Sequence, residues 1–315
     1  MKPKVLKLPP AVFALMASCF WGQAVSGQEV ANPLLEATNV TNSGAIQGSV
    51  RLRQAAETLR RRDGVAAQLR QRIHLFDQRL VGRGLYLQGP AGSGQFRLEL
   101  NIQVADQVSS LQQVCDGRHL WIYRQLYNSK SLERVDLDRL ELGRLNLESS
   151  ALGGPSSWST AGLSVSGLPG LLDSLARDFE FAPPRPVQLR GVTAWELRGT
   201  WNARRLVEML PEEAEQIKQG RAVDTSALPA HLPDEVIIWL GREEHFPYRI
   251  TFRRTEGKDQ NSRVRRWNKV DPELLTMEFF EVRLNVPVDP GRFDYQPGNL
   301  TARDVTEKYL SRLGM

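Results

Sequence analysis

Gln95-Phe96-Arg97-Leu98-Glu99-Leu100-Asn101-Ile102-Gln103 alternates without a break. Phe96, Leu98, Leu100 and Ile102 fall on one side, and Arg97, Glu99, Asn101 and Gln103 on the other. A period of two is the period of a β-strand, so this strand has one dry face and one wet face. Strands of parallel sheets are usually covered on both faces and read as continuous apolar runs. The alternation therefore predicts an antiparallel sheet with something packed on its dry side.

Similar stretches lie on both sides of it. Over Ala66–Phe76, Leu69, Ile73 and Leu75 share a face with Gln71; over Arg79–Gln88, Val81, Leu85 and Leu87 share a face with Arg83. Asp77-Gln78 is short enough for a hairpin, and Gly82 and Gly84 on the opposite face allow the sheet to bend. Gly89-Pro90-Ala91-Gly92-Ser93-Gly94 is a turn, and Asp116-Gly117 is a second, joining strands over Ser109–Asp116 and Arg118–Arg124. These strands form a meander, each beside the last.

Before the meander, a helix is predicted from a Ser49 cap to about Arg62, with Val50, Leu52 or Ala55, and Leu59 as its apolar stripe. After it, leucines from Leu132 to Leu147 recur near helical spacing, and Ser149 to Gly170 reads as a Gly/Ser-rich loop anchored by Trp158. Leu171–Phe179 reads as a helix and Phe181–Trp201 as strand. Ala203–Leu210 and Pro211–Gly220 are short helices. Glu235–Gly241, Tyr248–Arg254 and Leu274–Asn285 are three further strands, and a last helix covers Thr301–Leu313.

The chain has 315 residues, enough for one large domain or two ordinary ones, with 41 basic and 36 acidic residues for a net charge of +5. Lys2, Lys4 and Lys7 precede any acid, and without them the net charge is about +2, which gives no argument for nucleic acid. That basic start, the apolar run Pro10–Gly22 and the small residues Ala24-Val25-Ser26-Gly27 outline an export signal over 1–27. A flexible leader over 28–48 follows, and the protein is read as soluble and periplasmic. Leu15–Cys19 also outlines a lipoprotein box, a poor one because of Met16 and Phe20. With Cys19 removed, Cys115 is alone, so no internal disulfide supports the fold; its strand setting predicts a buried, inert thiol.

Chemical motifs are few. Gly89–Gly94 has phosphate-loop glycine spacing but lacks the lysine and the following Ser/Thr. His74, His119, His231 and His245 form no metal-spaced pair, and Gly162-Leu163-Ser164-Val165-Ser166 lacks the last glycine of a nucleophile elbow. Asp136 and Asp138 are read as caps of a following helix. Arg263-Val264-Arg265-Arg266-Trp267-Asn268-Lys269 is read as a solvated hairpin edge rather than a nucleic-acid or headgroup contact. No enzyme, metal or cofactor is expected. The aromatic pair Trp121-Ile122-Tyr123 after the Asp-Gly turn is the more specific feature.

Asp116-Gly117, Trp121-Ile122-Tyr123, Phe293-Asp294-Tyr295-Gln296-Pro297 and Asp304-Val305-Thr306 follow the export segment, first helix and meander in order. That order resembles the LolA-like periplasmic lipoprotein carriers. The resemblance implies an α+β fold: a curved antiparallel sheet, an incomplete barrel, with helices covering its concave face. It spans one domain over 49–315 with an insertion around 149–170. It implies acyl chains of lipoproteins or other lipids as cargo, membrane proteins as donor or acceptor, a monomer, and no chemistry. The family's lid arginine could fall at Arg72 or Arg83, and neither is assigned. Leu69, Ile73, Leu85, Leu87, Phe96, Leu98, Leu100, Trp121 and Tyr123 are the candidate lining. The alternative function is an envelope regulatory protein that senses lipoprotein and signals to a membrane partner.

Overall fold

The computed structural model describes residues 42–312 apart from 76–77, 105–106, 127, 149–160, 222, 224, 226–227, 230–231 and 255–272. The export segment, the leader up to residue 41, Cys19, Trp158, His231 and the basic stretch Arg263–Lys269 therefore lie outside the described residues.

Helix α1 (Asn42–Arg60) leads into six consecutive strands: β1 (Val65–Leu75), β2 (Gln78–Gln88), β3 (Phe96–Val104), β4 (Gln107–Cys115), β5 (His119–Leu126) and β6 (Ser129–Asp136). Helices α2 (Leu137–Glu148) and α3 (Ala161–Asp178) follow, then β7 (Phe179–Phe181), β8 (Arg185–Leu189) and β9 (Val192–Trp201). The short helices α4 (Ala203–Met209) and α5 (Ala214–Lys218) precede β10 (Glu235–Gly241), β11 (Pro247–Arg253) and β12 (Glu273–Leu284). A 3-10 turn (Pro211–Glu213) lies between α4 and α5, and another (Pro290–Phe293), β13 (Arg303–Asp304) and α6 (Thr306–Arg312) complete the described chain.

All thirteen strands join one sheet in the order β13-β6-β5-β4-β3-β2-β1-β12-β11-β10-β9-β7, with β8 also on β9. Every pairing is antiparallel except the short one between β13 and β6. The end strands β13 and β7 do not pair with each other, so the sheet is open. The two meanders meet at its centre, where Leu69 of β1 lies opposite Phe279 of β12.

Residues directly opposite in an antiparallel pair point to the same face. Ala67, Tyr86, Leu98, Gln113 and Ile122 therefore form one row across β1 to β5 on a single face. Helices α1 and α3 cover that face. Leu52, Ala55, Ala56 and Leu59 make the buried stripe of α1; Leu168, Leu171, Leu172, Leu175 and Ala176 make that of α3. Both follow the i, i+3, i+4, i+7 spacing of a helix that buries one side. Both stripes belong to the same buried cluster as Leu69, Leu98, Leu100, Phe279 and Ile250 of the sheet.

Several sequence expectations shift. Ser49 does not cap α1, because the helix already runs from Asn42, and Val50 faces solvent. Leu132 belongs to β6, where it is buried. The helix begins at Leu137 because the Asp136 carboxylate accepts the Arg139 N–H at 3.1 Å, an N-cap at the position read from sequence. Within the expected 149–170 loop, residues 149–160 lie outside the described residues, and Ala161 onward belongs to α3. That helix bends at Ser166-Gly167, and Pro169 then stands in the first turn of its second half, where its missing N–H is harmless. The last helix starts at Thr306 rather than Thr301 because the chain first pairs as β13.

Candidate functional site

The covered face is the candidate site. β3 supplies its flattest apolar row: Phe96, Leu98, Leu100 and Ile102 are all buried there. Leu69 and Ile73 of β1 join it, so five of the nine lining candidates (Leu69, Ile73, Phe96, Leu98 and Leu100) share this face.

The other four do not. Leu85 lies opposite Glu99, and Leu87 opposite Arg97, so both are on the outer face. On β2 the covered positions are Leu80, Gly82, Gly84, Tyr86 and Gln88. This strand carries large apolar residues on both sides, and the two glycines conceal its buried side. They are small there for a reason: a Cβ on Gly84 would fall 1.7 Å from the Glu99 carbonyl oxygen. Trp121 and Tyr123 are also on the outer face, opposite Val114 and Gln112, while Leu120 and Ile122 take the covered one. Arg72 and Arg83 are exposed on the outer face, Arg72 near Glu273 and Glu278, so neither touches the helical cover.

Two side chains of β2 tie the cover down. The Leu168 N–H donates to the Tyr86 hydroxyl at 3.2 Å, and that hydroxyl donates to Gln88 Oε1 at 3.1 Å. Gln88 Nε2 donates to the Leu59 carbonyl at the end of α1 at 2.6 Å. One buried relay thus fastens α3 at its bend and α1 at its last turn. Burial pushes the Tyr86 phenol well above its ordinary range, so it stays a neutral donor. The bend needs glycine: Gly167 has φ +60, and a Cβ there would meet the Tyr86 hydroxyl at 2.9 Å and Phe96 at 3.2 Å.

Toward β6 the covered face becomes polar. Arg124 Nη1 donates to Glu133 Oε2 at 2.6 Å, and Arg303 reaches the other oxygen of the same carboxylate. Burial alone would raise the Glu133 carboxyl, but the two guanidiniums outweigh it and hold it below its ordinary value. Between this cluster and the leucines stand Ile122 and Gln113; Gln113 is fully buried with neither amide atom hydrogen bonded, and Arg124 Nε is likewise without a partner. Each such orphaned group costs about 1–3 kcal/mol of stability. Sequence reading missed Gln113 because β4 is polar on both sides; its register against Leu98 is what places it.

The outer face of the same strands has a different cover. After β12 the chain crosses it as a strap. Phe293 is fully buried, Arg97 Nη1 donates to the Arg292 carbonyl at 2.9 Å, and the Tyr295 ring stacks on Trp121 at 5.7 Å. The strap ends at the sheet edge, where the Val305 N–H donates to the Arg134 carbonyl at 2.9 Å. The Asp136 N–H donates to Thr306 Oγ1, and the Thr306 N–H to Asp304 Oδ1, each at 2.9 Å. The motifs that carried the resemblance are thus brought together, as a clasp on the outer face rather than a pocket lining.

Among the described residues, no three His, Cys, Asp or Glu side chains gather as a metal site. His74 and His119 lie on β1 and β5, and His245 lies between β10 and β11. Cys115 is buried, and that burial raises its thiol to about 11. Among the described residues, no helix is long and apolar enough to cross a membrane.

No family model matches the sequence, and no curated protein matches it. Solved structures do align with it. One is MucB, at 11% identity and a TM-score of 0.39, covering 80% of this chain and 64% of that one. A Pseudomonas aeruginosa MucA/MucB complex aligns at 12% and 0.38, covering 79% of this chain and 61% of that one. A LolA superfamily protein from Nitrosomonas europaea aligns at 12% and 0.29, covering 78% and 97%. The chain thus spans less than two thirds of the MucB chain it matches, and one of the three belongs to the group its motifs resemble.

Proposed function

We propose that this protein is a carrier that binds the acyl chains of lipoproteins or other lipids on the covered face of its sheet, exchanges them with membrane-protein partners outside the cytoplasm, and performs no chemistry on them. The observation that carries this function is the way the apolar face is closed. Two helices lie over Leu69, Leu98 and Leu100, and their buried side-chain ties to the meander run through Tyr86 and Gln88. Breaking such a tie costs about 1 kcal/mol net. An acyl chain entering the face returns about 0.8 kcal/mol per CH₂ buried. A long chain therefore offsets the loss of the helical cover by apolar area alone, and the helices act as a lid that yields to cargo.

Two measurements test this together. Mass spectrometry of an organic extract of the purified protein should find lipid. Binding of a fluorescent fatty acid should speed hydrogen exchange in α1 and α3 while the amides of β1 to β3 stay protected. Lipid-free extracts in repeated preparations, with no uptake of the probe, would overturn the function. A stable membrane-protein complex recovered from envelope extract would point to the regulatory alternative.

A further inference from the structure

Gln113 stands where the covered face changes character. On one side of it lie Leu98 and Leu100; on the other lie Ile122 directly across and Arg124 on the diagonal, the first member of the Arg124–Glu133–Arg303 cluster. The backbone of Gln113 pairs within the sheet whatever its side chain, so the amide is not needed to form β4. A leucine or methionine would fill similar space and leave nothing unpaired. Yet the side chain is fully buried with both amide atoms free, and Arg124, its diagonal neighbour on β5 and on the same face, has a buried Nε without a partner.

These unused groups define a ligand. Gln113 presents a carbonyl that accepts and an NH₂ that donates, and Arg124 Nε adds a second donor. A carboxylate or an ester only accepts, and would leave the Gln113 carbonyl unsatisfied. A secondary amide has one N–H and one C=O, and satisfies both halves of the Gln113 side chain at once. The surroundings fit the rest of such a molecule. The hydrocarbon lies over Leu98 and Leu100, the link at Gln113, and the polar remainder toward the charged cluster at the β6 edge.

We propose that Gln113 is the docking point for the amide link of an N-acylated amphiphile, with Arg124 beside it as a second donor. This subsite rests on the carrier function above. It makes the protein selective for amide-linked over ester-linked chains of equal length.

The test uses the full chain loaded with a fluorescent fatty acid, displaced by N-methyldodecanamide or by methyl dodecanoate. These probes are equal in length and differ at one position, an N–H in the amide and an ester oxygen in its place; the amide carbonyl is also the stronger acceptor, so the ratio is compared between wild type and variant. The ratio of amide to ester affinity should be about ten-fold higher in the wild type than in Gln113→Leu. Ester affinity should stay the same or rise, and thermal stability should rise. Gln113→Met, closer in shape, should lose the preference in the same way and serves if the leucine variant does not fold. An unchanged ratio across the wild type and the variants overturns the subsite and leaves the carrier function standing. If neither probe displaces the fatty acid and the fatty acid itself does not bind, the carrier function falls, and the subsite with it.

Discussion

Strands β2 and β5 carry large apolar residues on both faces, and the two faces of the sheet are covered by different means. The outer face is held by a strap fixed along its length: a buried Phe293, the Trp121–Tyr295 stack, the Arg97 bond to the Arg292 carbonyl, and the Asp304–Thr306 cap at the sheet edge. The covered face is closed by helices that meet the strands through leucines and alanines, with the Tyr86–Gln88 relay as a buried polar tie. Directional contacts spread along a segment lock it in one place, whereas an apolar helix face is bound by area and exchanges readily for other hydrocarbon. On the proposed carrier function, the difference marks one cover as architecture and the other as replaceable.

Trp121→Ala makes the harshest test of this contrast. It should cost about 2–3 kcal/mol of stability in a denaturant titration and leave fatty-acid affinity unchanged. A matching loss of affinity would show that the faces are not independent. Tyr86→Phe should have the opposite profile. It should cost about 1 kcal/mol, with faster exchange in α3 and faster ligand uptake, because the lid loses its fastening while the sheet keeps its core. Acid should produce the smallest effect, at the end of the strap and at Glu133, whose partner Arg303 lies on β13. The Thr306 hydroxyl and N–H, with help from Arg134, hold the Asp304 carboxyl at about 2. The unfolded chain binds that proton more readily, so the stabilisation is complete above the ordinary value of 3.8 and is lost as pH falls toward about 2. Exchange in β13 and α6 should quicken over that range, and Asp304→Asn should reduce the pH dependence to the share carried by Glu133.

The sequence disclosed five of the six strands of the meander, its Gly-Pro and Asp-Gly turns and strands β10 to β12, because alternation and turn residues are local signals. It misplaced residues where both sides of a strand are apolar. Val81, Leu85 and Leu87 outweigh Leu80 and Tyr86 by count, and only the packing of Leu100 and Ile102 against Gly82 shows which side is buried. Trp121 and Tyr123 misled because bulk suggested a pocket, when they are seats for a strap more than 150 residues further on. The first half of α3 looked like a loop, while Leu171 onward read as helix, because its glycines and serines gather around a bend whose need for Gly167 is tertiary. Gln113 was invisible for a similar reason: a glutamine has no meaning on its strand until the leucine across from it is known.

The junction of β1 with β12 has a consequence for biogenesis. Val65 is partnered by Leu284, so more than 200 residues separate strands that are neighbours in space. Until β12 arrives, the first meander stands with an open β1 rim and its greasy side toward water, the kind of rim that recruits foreign strands. Closure across so long a loop is slow. Newly made molecules should therefore pass through a sticky interval, and truncations that remove β12 should be recovered as aggregates rather than as a smaller soluble half.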